Sequence, residues 1–204
     1  MREFRQMFGY GRMWLALFLC AGAFLGVSLI GSNMVLIPGF STFRPVNGLP
    51  VTLGLMFGPA GALGVAAGNV AGDIVNGTLS LASIGGAIGN FLFAFIPYKI
   101  WGLLRRRDNL KIPNIFSLKK LLWFVVLTFA GIVACTLTVS IAIALAGGGA
   151  FGETFRMIYI NNIVGGYVVG MPLFLLLPFL VDRTDMYWKQ VMKHEFFAYP
   201  RWRG

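Results

Sequence analysis

Apolar and polar positions divide the chain into five apolar runs, residues 13–37, 49–72, 79–104, 119–146 and 155–181, separated by short polar bursts. Each is as long as the roughly 20 residues a membrane-crossing helix needs. Five crossings conflict with the placement of charge. With the N-terminus inside, three crossings before Arg105 would put Arg105, Arg106 and Arg107 outside, against the cytoplasmic bias of Lys and Arg. The conflict disappears if the chain reverses at Gly58-Pro59, where proline removes an amide donor and glycine permits a tight turn. A second crossing then covers 39–57 and a third 60–76, and all of the N-terminus, the 105–120 loop and the C-terminus lie on the cytoplasmic side. Arg44, Pro45 and Pro50 interrupt the first half of 39–57, so only Val51 to Phe57 reads as regular helix. Residues 39–50 read as an irregular loop dipping into the bundle from outside, which is tolerated only against protein or a water-filled cavity. The expected fold is therefore an all-α polytopic membrane protein, a single bundle of about six transmembrane helices over residues 1–181. A basic, amphipathic cytoplasmic tail follows over 182–204.

This topology sorts the intramembrane polar groups by side. Ser28, Ser32 and Asn33 fall near the outer end of the first crossing, and Asn69, Asp73 and Asn76 near that of the third. Ser80, Ser83 and the deeper Asn90 start the fourth crossing, while Glu153, Arg156, Asn161 and Asn162 start the sixth. Arg44 and Asn47 belong to the outer loop. The inner halves are Leu, Phe, Val and Ala up to the basic collars, with Lys99 placed to snorkel. Lipid tails offer no hydrogen bonds, so such groups must face protein, water or a ligand. Their one-sidedness describes a cup open to the outside and closed toward the cytoplasm, rather than a continuous channel.

Composition agrees. Of 204 residues 57% are hydrophobic and 12% charged, against about 25% charged in a soluble domain. The net charge of +10 raises the question of nucleic acid, but fourteen of the seventeen Lys and Arg flank apolar runs, as a membrane protein requires. No nucleic-acid partner is expected; membrane lipid is. Cys20 and Cys135 both lie within apolar runs and imply no disulfide framework. The first run is too long for a signal-peptide core and reads as a retained helix.

Small residues recur at four-residue spacing: Gly22 with Gly26, Gly64 with Gly68 and Gly72, Gly85 with Gly89, and Gly166 with Gly170. Such faces let helices pack closely or dock a partner. Catalytic constellations are missing from the sequence: His194 is the single histidine, and HExxH, Walker and GxSxG motifs do not occur. No enzymatic activity, metal or cofactor is expected, and uphill transport would need an ion gradient or another subunit. In the tail, Met186, Tyr187, Trp188, Val191 and Met192 suggest a short helix lying in the interface or docking a partner.

The run LGLMFGPAGALGVAAGN, continued by AGNVAGDIVNGTLSLASIGG, resembles the S components of energy-coupling-factor (ECF) transporters, most closely the branch assigned to queuosine precursors. The resemblance covers roughly residues 10–181, its specific part residues 50–90. It implies a substrate-capturing subunit for a vitamin, queuosine precursor or nucleobase-like micronutrient. Such a subunit binds from outside and docks on a membrane coupling subunit driven by two ATPase subunits. By that likeness Arg44 and Asn47 belong to a capping loop, and Asn69, Asn90, Asn161 and Asn162 line the cup beside Asp73. Asn amides both donate and accept, which suits a heterocycle, and Phe40, Phe43 and Tyr159 could stack on one. The small-residue docking pair expected on the first crossing has its nearest counterparts in Ala16 with Cys20 and Gly22 with Gly26. The alternative is a non-transporting six-span sensor or scaffold subunit. An independent ion-coupled carrier fits less well, since only the first half of the chain has a broken helix.

Overall fold

The computed structural model describes residues 2–31, 35–37, 41–42, 44–104 and 111–192. A short helix α1 (Arg2–Met7) leads into α2 (Gly11–Gly31), whose 21 residues rise about 31 Å, enough for a bilayer core of roughly 30 Å. The helix ends before the apolar run does. Val35–Ile37 (β1) instead pairs antiparallel with Ser41–Thr42 (β2), the one ribbon among the described residues. Val35 and Ile37 are β-branched and precede Pro38-Gly39, which favours extended backbone over more helix. Phe40 and Phe43, like Ser32, Asn33 and Arg105–Arg107, lie outside the described residues.

A 3-10 turn, Pro45–Gly48, opens directly into α3 (Leu49–Val75). Helical structure thus begins earlier than the expected start at Val51. Pro45 and Pro50 both sit in first-turn positions, where a missing N–H would have had no partner anyway. The chain reverses inside α3 at Gly58, whose φ of 54° and ψ of −124° are non-helical. A Cβ placed on Gly61 would stand 2.2 Å from the carbonyl oxygen of Leu53. In a straight helix those two residues would be about 12 Å apart along the axis. The reversal expected at Gly58-Pro59 is therefore present, and α3 has two antiparallel arms.

Direction of packing counts the crossings. In the second arm Gly64 abuts Leu17 and Cys20, Gly68 abuts Ala21 and Phe24, and Gly72 faces Leu25 and Ser28, so this arm runs parallel to α2. Two parallel neighbours require a return crossing between them, and the first arm supplies it. It is short: residues 45–57 rise only about 21 Å. Next come α4 (Leu81–Leu104) and α5 (Leu118–Leu145), antiparallel through Gly85 against Ala142 and Gly131 against Phe93. The last crossing is α6 (Phe151–Val164), a π-helical turn at Gly165–Val169, and α7 (Gly170–Arg183). Among the described residues five helical stretches are long and apolar enough to cross a membrane, and the one at Pro45–Val75 is folded in two.

The short first arm is the core of the bundle, buried throughout from Gly48 to Phe57. Glycine permits its closest approach: a Cβ on Gly48 would fall 2.7 Å from the backbone of both Gly165 and Gly170. Thr52 donates to the carbonyl of Gly170 at 3.1 Å, a buried bond tying the arm to the last crossing.

Candidate functional site

The polar end of this bundle is hollow. A cavity of about 440 Å³ opens beside Asn76, Thr78 and Ser80, in the turn between α3 and α4. It descends between the second arm of α3, α4, α5 and α6. All seven residues expected from the sequence to meet a ligand border it. Arg44 and Asn47 come from the start of the short arm, Asn69 and Asp73 from the second arm, Asn90 from α4, and Asn161 and Asn162 from α6.

The asparagines form two braced layers. Asn90 Nδ2 donates to Asn69 Oδ1 at 3.1 Å and to the carbonyl of Gly86 at 2.9 Å, and Asn69 Nδ2 donates to Asp73 Oδ2 at 3.5 Å. Across the cavity Asn162 Nδ2 donates to Thr136 Oγ1 at 3.1 Å and Asn161 Nδ2 to the carbonyl of Met157 at 3.2 Å. Asn90, Asn161 and Asn162 are buried, so these bonds relieve a desolvation cost of about 1–3 kcal/mol per group. Among the described residues no ion pair joins Arg44 to Asp73, although both border the cavity.

One turn below Asn90 and Asn162 the hollow closes. Phe93 and Ile132 are fully buried there, and Gly166 packs against both together with Thr128. The opposite end of the bundle is sealed as well. Trp188 lies flat enough on Gly58 that a Cβ there would fall 2.5 Å from its ring, and it meets Tyr98 edge-on at 5.6 Å. Tyr187 and Val191 are buried too, and Tyr10 donates its hydroxyl to the carbonyl of Met192 at 3.1 Å. The start of the tail is thus part of the bundle. Its aromatic residues find an apolar bed around the Gly58 turn, which hydrophobic periodicity alone could not distinguish from a lipid surface.

Glu153 and Arg156 border a second hollow of about 450 Å³ whose described lining comes from residues 148–157. Tyr159 stacks on Phe155 at 5.8 Å. Sequence reasoning missed Cys135, Val139, Ile143, Met157 and Ile158, which give the cup its apolar wall. Their helical spacing on α5 and α6 was the available signal. The small residues separate into two groups. Gly64, Gly68 and Gly72 serve the contact between α2 and α3 and Ala16 is buried, whereas Gly22 and Gly26 face open space. A partner can reach the second group alone.

Compared with family models, with curated proteins and with solved structures, the chain matches none.

Proposed function

We propose that this chain is the substrate-capturing subunit of a membrane transporter. It takes a small micronutrient (a vitamin, queuosine precursor or nucleobase-like compound) from outside and delivers it through an ATP-driven ECF module. The observation that carries this reading is a cup blocked at one end, with seven polar side chains from four separate parts of the chain around it. Its volume of about 440 Å³ lies in the range of small-molecule sites, and its mix of amides with an apolar wall suits a compact heterocycle. Basic residues favour the opposite end: Arg12, Lys99, Lys119, Lys120 and Arg183 are placed for the cytoplasmic side of a cell membrane. Both termini then lie in the cytoplasm. The energy comes from two ATPase subunits through a membrane coupling subunit, which meets the lipid-facing side of α2 where Gly22 and Gly26 leave room for close helix contact.

The test is a thermal-shift screen of vitamins, nucleobases and deazapurines on the purified protein in detergent. A ligand present at 100 times its dissociation constant stabilises by about 2.7 kcal/mol. A compound that raises Tm in the parent and not in Asn162→Leu supports capture. No shift from any compound on a folded sample rejects it, in favour of a sensor or scaffold subunit. Co-purification with a coupling subunit and ATPases tests the delivery half separately.

A further inference from the structure

Four amides of the cup, those of Asn69, Asn90, Asn161 and Asn162, turn their NH2 groups to protein. A carboxylate only accepts hydrogen bonds, so an amide beside it must present its NH2 group. Asn69 does so, donating Nδ2 to Asp73 Oδ2, which leaves Asn69 Oδ1 turned to Asn90. Asn90 must answer with Nδ2, and its second hydrogen goes to the carbonyl of Gly86. Both donors of Asn90 are then spent within the protein, and its Oδ1 is the atom left for the cavity that it lines. On the far wall Asn161 and Asn162 also give their NH2 groups to protein, to the carbonyl of Met157 and to Thr136 Oγ1.

We infer that the Asp73 carboxylate and the Gly86 carbonyl, which can only accept, together set the polarity of this amide chain, and that the cup accordingly selects a ligand presenting N–H donors to Asn90. This deepens the capture reading and rests on it. A ligand edge offering only acceptors would meet the Asn90 oxygen lone pairs and gain nothing. An amino or other N–H edge makes a bond that burial strengthens. Asp73 need not touch the ligand for this. Its role is to hold Asn69 with Oδ1 toward Asn90, while the Gly86 carbonyl holds Asn90 from the other side.

The test uses two uncharged probes of equal shape, aminopyrazine and methylpyrazine, which differ in having N–H donors or none. Their affinities are measured by ligand-observed NMR on the purified protein in detergent. The parent is expected to prefer aminopyrazine about fivefold, the worth of one net hydrogen bond. In Asn90→Leu, which removes the acceptor and leaves Asp73 in place, the preference should fall to within about twofold. In Asp73→Asn, where the Gly86 carbonyl still holds Asn90, most of it should remain. Unfolding temperatures of both variants are recorded so that a misfolded sample is not scored. Equal binding of the two probes by the parent overturns the inference, and so does binding of neither. Preference retained in Asn90→Leu overturns it too, because the amino group would then be meeting another acceptor such as Asp73. If both probes bind equally well, or a screened compound still raises Tm, capture by the cup stands and only its polarity is lost.

Discussion

At the scale of the residue, what decides each role is what lies within a few ångströms of it. Gly64 and Gly22 both stand in four-residue glycine spacings, yet a Cβ on Gly64 would fall 2.6 Å from Cys20 Cβ and one on Gly22 meets nothing. Gly64→Ala is therefore expected to destabilise by about 1–3 kcal/mol, as overpacking does, and Gly22→Ala to stay within about 0.5 kcal/mol. Unfolding in detergent checks both, and equal losses would contradict the assignment of Gly64 to an interior contact. The sequence shows the spacing but not the partner, so the two faces could not be told apart from it. The asparagines were easier to read. An amide in an apolar run must bond to something, and a common side for Asn69, Asn90, Asn161 and Asn162 was visible once the crossings were numbered. Which atom each amide turns to the cavity was not, because that depends on neighbours such as Gly86, Met157 and Thr136.

At the scale of the element, the reversal at Gly58-Pro59 was readable and the extent of its first arm was not. Gly58 has the positive φ that side chains avoid, and Pro59 cannot continue the hydrogen bonding of the preceding helix. Pro45 and Pro50 look like helix breakers in sequence but act as helix starters, since position in the turn decides their effect. The tail escaped sequence reasoning for a related reason: an aromatic, amphipathic segment has the same pattern whether it covers lipid or protein. Trp188 covers the Gly58 turn and is buried. Trp188→Ala is expected to cost about 3–5 kcal/mol, the usual loss for a buried tryptophan. Thermal unfolding measures it, and a change below about 1 kcal/mol would mean that the tail only rests on the bundle.

At the scale of the whole molecule, the alternation of crossings places the described basic residues Arg12, Lys99, Lys119, Lys120 and Arg183 at one end and the cup at the other. Single cysteines replacing Asn76 and Lys120, in a background with Cys20 and Cys135 changed to Ser, report this directly. In intact cells the cysteine at position 76 is expected to react with a membrane-impermeant maleimide, and the one at 120 only after permeabilisation. The reverse pattern would invert the topology and turn the cup inward. The central claim is that this cup is where a ligand binds. Calorimetric titration tests it, using the compound with the largest Tm shift against the parent, Asn162→Leu and Asn114→Ala. Asn114 lies at the far end of the bundle, bonded to Lys120. The expected result is one site per chain, about 30-fold weaker in Asn162→Leu for the loss of about 2 kcal/mol, and unchanged in Asn114→Ala. Equal affinity in the parent and Asn162→Leu would place the ligand elsewhere and contradict the account.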